Sequence, residues 1–297
     1  MRIGYPAARP PSVESPPELR AQADATAVRL LRELGVDANP TPLRDGREHH
    51  LYRLHCIHGD FLLKFPRSDG LPDPFEPDRP WVDRLRSESI AISLVQGVPV
   101  PSPYFFHPET WPPCSLLGIL PGVSPEQQLE RGRVDWVGLL GLCMQIGRML
   151  AQIHTRRRPP NGAGLPDLPG SDPATARLLH LDFHIGNVLG RPELGWRLTG
   201  VLDWTCARWG PPEADLVELQ VSLFAANPRA REAFLSGYRQ VSPHIMDVQD
   251  VEARAILEIQ RRLVEDPPEK QMIHIWEDWM EQKLGGLTLG RTDSLPP

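Results

Sequence analysis

The chain has 297 residues, of which 40% are apolar and 24% charged, and its net charge is −6. These values are ordinary for a globular protein and exclude a collagen-like chain and global disorder. A mildly acidic chain is a poor match for nucleic acid, because neutralising phosphates needs a basic surface. No run of about 18 uninterrupted apolar residues predicts a membrane span. We therefore expect neither a nucleic-acid partner nor a membrane.

The N-terminal part of the chain predicts a small sheet with a helix packed on it. Apolar residues at helical spacing indicate the helices, alternating side chains indicate the strands, and clusters of proline and glycine indicate the turns. The expected elements are a proline-rich flexible arm over 1–17, a helix over 18–34, a strand near 41–44, a β-hairpin over 49–65, a helix over 81–96, and strands over 104–107 and 115–120.

After residue 122 the pattern becomes mostly helical. The expected elements are a helix over 134–154, short apolar runs at 178–181 and 188–189, a strand over 196–202, and helices from 213 to about 284 that are interrupted at prolines. The chain therefore predicts two lobes joined near residue 120, a small β-rich lobe over 18–120 and a larger helical lobe over 121–297.

Cysteine usage and the N-terminus predict the compartment. Cys56, Cys114, Cys143 and Cys206 are far apart and form no C-x-x-C pair, which is typical of reduced thiols in a cytoplasmic protein. The first residues lack the apolar segment of a secretory signal. We therefore expect a cytoplasmic protein.

The segment from His180 to Asn187 is the densest in candidate catalytic side chains, and it reads His-Leu-Asp-Phe-His-Ile-Gly-Asn. Asp182 and Asn187 form a D-x-x-x-x-N pattern, and Asp203 follows the next predicted strand. Phosphoryl transfer needs a carboxylate that accepts the proton of an attacking hydroxyl, and oxygen ligands that hold magnesium against the phosphates. The three residues supply these groups at a spacing that favours a phosphotransferase site.

The N-terminal lobe offers a cation and a carboxylate for the same chemistry. Lys64 lies inside the apolar strand Phe61–Phe65, where a cation is costly unless it is paired. Glu88 follows the apolar rhythm of Leu85 and Ile92, which places its carboxylate on or beside the buried face of its helix. A strand lysine paired with a helix glutamate is the arrangement that holds ATP phosphates in kinases.

These residues together resemble the aminoglycoside phosphotransferase/choline kinase family, which has a protein-kinase-like fold. The matching pieces are Phe61–Phe65, Glu88, Gly97–Pro101, Leu120–Gly122, Leu150–His154, His180–Asn187, Leu202–Trp204 and Pro212–Leu216. The resemblance implies an α+β, bilobal fold with a small β-rich N-lobe and a larger α-helical C-lobe. It also implies an enzyme that moves the γ-phosphate of ATP to a hydroxyl of a small molecule.

The resemblance implies a role for each of the site residues. Asp182 would be the catalytic base, and Asn187 and Asp203 would be the magnesium ligands. Lys64, oriented by Glu88, would hold the ATP phosphates. Gly46 is the one glycine in the loop expected to cover the nucleotide, and His180 and Asp215 would brace the catalytic loop.

Four features depart from the family pattern. The loop over 43–48 is poor in glycine, Leu181 stands where the family usually has glycine, Pro211 stands where an aspartate is common, and only 25 residues separate His154 from His180. Many antibiotic kinases carry helices there that build the acceptor site. The acceptor could thus be an antibiotic such as an aminoglycoside or a hydroxylated metabolite. GTP stays open as an alternative to ATP, and the sequence does not indicate an oligomeric state.

Other interpretations of the same residues are open at this point. His180, Asp182 and His184 could be the metal ligands of a hydrolase, and the chain could bind nucleotide without catalysis. Lys64 could be an edge-strand lysine that reaches solvent, and Glu88 could be an exposed residue paired with Arg84.

Overall fold

The computed structural model describes residues 16–43, 48–57, 59–68, 75–192, 196–244, 246–265 and 270–284. The first fifteen residues of the predicted arm lie outside this range, as does Gly46. The proposed division at residues 17/18 and 120/121 stays a prediction.

The N-terminal lobe is a five-stranded antiparallel sheet with two helices. Its elements are α1 (Pro17–Glu33), β1 (Asn39–Pro42), β2 (His49–Cys56), β3 (Gly59–Pro66), α2 (Trp81–Leu94), β4 (Pro103–His107) and β5 (Cys114–Gly118). The strand order is β1-β2-β3-β5-β4, so β3 lies in the middle of the sheet. These elements follow the predicted helices, hairpin and strands closely.

The two faces of β3 serve different cores. Phe61, Leu63 and Phe65 pack against α1 in one apolar cluster, whereas Leu62 packs against the cluster that contains α2 and the C-terminal core. Since side chains alternate along a strand, Lys64 faces the same side as Leu62. Strand alternation therefore directs the Lys64 ammonium toward α2.

The C-terminal lobe is mostly helical, with short two-stranded ladders that hold its loops. Its elements are α3 (Pro125–Glu130), α4 (Trp136–Ile153), β6 (Arg177–Leu179), β7 (Val188–Arg191), β8 (Arg197–Val201), β9 (Arg208–Gly210), α5 (Leu216–Leu219), a π-helical turn (Gln220–Phe224), α6 (Pro228–Arg239), α7 (Val248–Glu265) and α8 (Lys270–Leu284). β6 pairs with β9 and β7 pairs with β8, both antiparallel. α3 and β9 were not predicted from the sequence.

Helices α4 and α6 cross closely because each has a glycine at the contact. A Cβ atom at Gly147 would overlap the carbonyl oxygen of Phe234, and one at Gly237 would overlap that of Met144. In length and hydropathy α4 also suits a membrane span. Nine of its residues are nevertheless buried among its neighbours, as in a core helix.

The segment between α4 and β6 is held against the core by Trp209 on β9. Its indole nitrogen donates to the carbonyl of Gly162 at 2.6 Å, and its backbone bonds Pro166 and Leu168. Arg158 adds an ion pair to Asp167. These contacts hold the proline-rich segment against the core. The helical element that the structure has between α4 and β6 is the 3₁₀ turn Gly162–Gly164.

Candidate active site

Lys64 lies at the centre of a charge cluster that joins the two lobes. Its Nζ is 3.0 Å from Glu88 Oε1 on α2 and 2.8 Å from Asp203 Oδ1, which follows β8. Lys64 and Glu88 are buried, and Asp203 is partly exposed. Lys64, Glu88 and Asp203 are called the Lys64 cluster below. The interpretation of Lys64 as an edge-strand residue is wrong, because β3 is a central strand.

Glu88 also positions the backbone that follows Asp203. Its Oε1 accepts a hydrogen bond from the amide of Trp204 at 3.2 Å. One buried carboxylate therefore holds both the N-lobe lysine and the C-lobe loop. The alternative pairing of Glu88 with Arg84 is wrong, since Arg84 instead contacts Glu48 and stacks on the Trp81 ring at 3.9 Å.

Lys64 and Asp203 keep their charges despite burial. Burial disfavours the ammonium, but Asp203 and Glu88 outweigh it and raise the pKa of Lys64. Burial likewise opposes ionisation of Asp203, yet Lys64 holds the pKa of that carboxyl well below its usual range. For Glu88 burial prevails over Lys64, and its pKa is raised. A charged lysine facing an ionised Asp203 is the state expected at neutral pH.

Asp182 and Asn187 meet on the loop between β6 and β7. The Asn187 Nδ2 donates to the Asp182 carbonyl and to Asp182 Oδ2, both at 2.9 Å. The amide must have this orientation, because an oxygen in place of Nδ2 would face two acceptors. Its carbonyl oxygen Oδ1 is therefore the atom with which Asn187 can bind a cation.

The loop is tied to Asp203 through its neighbour. The amide of Leu202 donates to the Asn187 carbonyl at 2.8 Å. His180 Nε2 donates to the Leu202 carbonyl at 2.8 Å, while its Nδ1 accepts the amide of Asp182 at 3.3 Å. These bonds bring Asp182, Asn187 and Asp203 into one site, as the spacing predicts.

Asp215 braces the start of the same loop from below. It accepts the amides of His180 and Leu181, and its Oδ2 is 3.0 Å from His154 Nε2. His154 Nδ1 in turn lies 2.8 Å from the hydroxyl of Tyr238. This buried network has the bracing geometry that the resemblance implies for His180 and Asp215, and it adds His154 and Tyr238.

Leu181 has a left-handed backbone, with φ +62°, and Asp203 has φ +61°. Such values cost a residue with a side chain about 1–2 kcal/mol, and glycine adopts them freely. The family glycine is therefore explained by the backbone at residue 181. This chain keeps the same backbone with a leucine.

An alanine variant is usually more stable than a glycine variant at the same position. We predict the reverse order at residue 181. Leu181→Ala shortens the side chain to a methyl group and Leu181→Gly removes it entirely, and only glycine relieves the backbone strain. The free energy of unfolding of the glycine variant should be about 1 kcal/mol higher than that of the alanine variant. Urea denaturation of the two variants measures this difference. An alanine variant at least as stable as the glycine variant would contradict it.

Glu48 is an acidic residue near the site that was not predicted from the sequence. The pKa of Glu48 is raised to about 7, mainly by burial and in part by the carboxylates of Asp203 and Asp182, against the lowering effect of Arg84 and Lys64. Its partner Arg84 lies one helical turn before Glu88 on α2. No single-residue pattern signals this pair, because it joins a loop to a helix 36 residues later.

The residues of the hydrolase interpretation do not converge on a metal site. His180 bonds the Leu202 carbonyl, and His184 accepts the amide of Gly186. Within the described residues, no group of three histidine, cysteine or carboxylate side chains could hold a metal ion. The geometry therefore disfavours that interpretation.

Part of the C-lobe matches a known protein family. Residues 163–257 match the model of the phosphotransferase enzyme family APH. The resemblance seen in the sequence is confirmed. The APH match contains the loop from His180 to Asn187, Asp203 and Asp215, whereas Lys64 and Glu88 lie outside it. No protein of curated function matches the sequence.

Solved structures with the same fold include structures of aminoglycoside phosphotransferases, and three of them show the degree of similarity to this chain. The GDP complex of aminoglycoside 2'-phosphotransferase-IIIa has TM-score 0.60 and 13% identity, covering 87% of this chain and 98% of that chain. Aminoglycoside phosphotransferase APH(4)-Ia has TM-score 0.60 and 12% identity, covering 90% and 99%. The GDP and kanamycin complex of APH(2")-IIIa has TM-score 0.59 and 14% identity, covering 89% and 99%.

These likenesses show the fold, which is α+β, bilobal and protein-kinase-like. The APH match supports a phosphotransferase. The identity of 12% to 14% does not carry an acceptor from those enzymes to this chain.

Proposed function

We propose that the protein transfers the γ-phosphate of ATP to a hydroxyl group of a small molecule. The observation that carries the proposal is the Lys64 cluster, in which one buried lysine joins the α2 glutamate to Asp203. This is the arrangement that kinases use to hold nucleotide phosphates beside the metal-binding aspartate. The free cysteines support the cytoplasmic location that we also propose.

Asp182 is the proposed catalytic base. As the acceptor oxygen attacks the γ-phosphorus, Asp182 accepts the hydroxyl proton, and the bond between the γ-phosphorus and the bridging oxygen of ADP breaks. Lys64 places its positive charge on the phosphates, where negative charge is redistributed during transfer. Glu88 fixes the lysine through its contact with the ammonium at 3.0 Å.

The oxygen donors at Asn187 and Asp203 fit Mg²⁺. A hard divalent cation prefers carboxylate and carbonyl oxygens, and the fixed amide of Asn187 leaves its carbonyl oxygen as donor. When bound, Mg²⁺ would neutralise charge on the β- and γ-phosphates. We propose these two residues as its protein ligands.

The acceptor is proposed as an antibiotic such as an aminoglycoside or as a hydroxylated metabolite. Residues 155–176 lie against β9 as a short ordered loop, so additional helices from this segment do not shape the acceptor site.

A screen for acceptor-dependent ADP formation tests the proposed function. The purified protein is incubated with Mg²⁺ and ATP, or with GTP, in the presence of kanamycin, hygromycin B, amino alcohols and sugars. We expect ADP formation to rise with at least one compound, whose mass increases by one phosphoryl group. Nucleotide binding without turnover on any acceptor or water would instead favour the non-catalytic interpretation.

Lys64→Arg tests the nucleotide role of the lysine. A planar guanidinium does not fit between the Glu88 and Asp203 carboxylates as a compact ammonium does. We expect a folded protein with kcat/KM for ATP lowered about 10-fold or more. Glu88→Gln should lower the same constant, and the double variant should lose less than the sum of the two free-energy changes, because both act through one ion pair.

The matched control is Lys283→Arg, since Lys283 is a partly exposed lysine that pairs with Glu252 on another helix. It should retain wild-type kinetics. Wild-type kinetics in Lys64→Arg, or full additivity with Glu88→Gln, would show that this pair does not hold the nucleotide.

A further inference from the structure

His184 lies beside the proposed base, two residues along the catalytic loop. Its ring is buried, its Nδ1 accepts the amide of Gly186 at 3.1 Å, and its Nε2 is 3.9 Å from Asp182 Oδ2. His184 is the N-cap residue of the short 3₁₀ turn Ile185–Asn187. The side chain thus has one nitrogen on the backbone and the other toward the carboxylate.

The bond from Gly186 determines which nitrogen carries the proton. Because Nδ1 accepts an N–H, it holds the lone pair, and the proton of the neutral ring is on Nε2. The protonated nitrogen is therefore the one that faces Asp182. The distance of 3.9 Å exceeds a hydrogen bond, but such bonds are often long before substrates bind and shorten in the reactive complex.

Gly186 and Glu126 lie close to the His184 ring. A Cβ atom at Gly186 would collide with Glu126 Oε2 and would lie 2.5 Å from His184 Cε1 and 2.8 Å from its Nδ1. Glu126, on α3, also has its Oε1 4.0 Å from His184 Nδ1. A glycine at position 186 therefore leaves the space in which the His184 ring packs, between Glu126 of α3 and Asp182.

We propose that His184 is a positioning residue that orients the Asp182 carboxylate through Nε2–H. Asn187 Nδ2 already donates to Asp182 Oδ2, and His184 supplies a second donor on the same oxygen. Two donors on Oδ2 fix the rotation of the carboxylate and hence the direction of Oδ1 toward the acceptor. The inference rests on the proposed function, since it assigns a partner to the proposed base.

Two substitutions separate the contact with Asp182 from the cap on Gly186. The amide oxygen of His184→Asn can still accept the Gly186 amide, because asparagine caps well, but the variant has no donor at the Nε2 position. The amide nitrogen of His184→Gln can reach that position, and the variant loses the cap. We expect His184→Asn to keep the wild-type Tm and KM for ATP while its kcat falls about 10–100-fold. His184→Gln should have a lower Tm and a kcat within about 3-fold of wild type.

The test measures hydrolysis of ATP–Mg²⁺, with water as acceptor, in wild type, both variants, Asp182→Asn and the control His274→Asn. His274 is an exposed histidine on α8 and should tolerate the change. If wild type is active and Asp182→Asn is impaired, a normal kcat in His184→Asn would overturn the inference alone. Equal loss of kcat in the asparagine and glutamine variants would also overturn it, because it would indicate a structural role.

An NMR measurement tests the contact without relying on turnover. In protein labelled with ¹⁵N-histidine, the His184 signals are assigned from their loss in His184→Gln. We expect the neutral ring with its proton on Nε2, and a shift of the Nε2 signal in Asp182→Asn. A proton on Nδ1, or an Nε2 signal unchanged in Asp182→Asn, would overturn the contact. A wild-type protein that turns over no nucleotide with water or with any acceptor of the screen would overturn the proposed function, and the role of His184 with it.

Discussion

Replacing Asp182 with asparagine is expected to lower kcat by about 10²–10⁴-fold, the usual contribution of a positioned base. The substitution preserves the shape of the side chain and can still bond Asn187, so the loop should keep its conformation. Lys64, Glu88 and Asp203 are unchanged, and KM for ATP should therefore change little. Steady-state kinetics with the acceptor found by the screen measures both constants.

Thermal unfolding provides the control for this variant. The Tm of Asp182→Asn should lie close to that of the wild type, because Asp182 is partly exposed and the brace at Asp215 is intact. Turnover near the wild-type rate in a folded Asp182→Asn protein would show that Asp182 is not the base.

Asp203→Ala is expected to lower turnover by about 10²–10³-fold or more, through loss of an oxygen ligand and of the charge beside Lys64. Lys64 retains Glu88 at 3.0 Å, so the buried ammonium keeps one partner and the fold should persist. The Mg²⁺ concentration needed for half-maximal activity should rise. Activity measured over a Mg²⁺ titration, with Tm measured in parallel, tests both expectations.

Asp203→Asn separates the charge from the shape of the side chain. It can still accept the hydroxyl of Thr205, which donates to Asp203 Oδ1 at 2.8 Å in the wild type. We expect it to fold like the wild type and to lose activity nearly as strongly as the alanine variant. An active Asp203→Asn protein with an unchanged Mg²⁺ requirement would remove the metal role from this residue.

Much of the N-lobe site could be predicted from local patterns. An apolar strand with one lysine indicated a buried, paired cation, and Lys64 is buried and paired. The spacing of Leu85, Glu88 and Ile92 indicated that the carboxylate lies on the buried face of α2, where Glu88 is found. Both predictions succeeded because strand and helix periods determine the direction of a side chain from sequence alone.

The contacts between distant segments could not be predicted from sequence spacing. Lys64 and Asp203 are 139 residues apart, and the bond from Trp204 to Glu88 depends on how the two lobes pack. The pair of Glu48 and Arg84 was missed for the same reason. Such contacts depend on tertiary packing, which no local pattern encodes.

Short strands and residues with positive φ could not be predicted from the sequence either. β9 has only three residues, and its pairing with β6 holds Trp209 in place. The left-handed backbone at Leu181 contradicts the preference of leucine, and only the family glycine pointed to it. His184 appeared as a candidate metal ligand, because its contact with the Gly186 amide requires the folded loop.

Following the γ-phosphoryl group itself tests the proposed activity most directly. ATP labelled at the γ-phosphate is incubated with Mg²⁺, the acceptor from the screen, and either wild-type or Asp182→Asn protein. The proposed function predicts that the label appears on the acceptor at the rate at which ADP forms, and that this transfer is about 10²–10⁴-fold slower with Asp182→Asn. Label that appears only as inorganic phosphate with every acceptor, or equal transfer by both proteins, would contradict it.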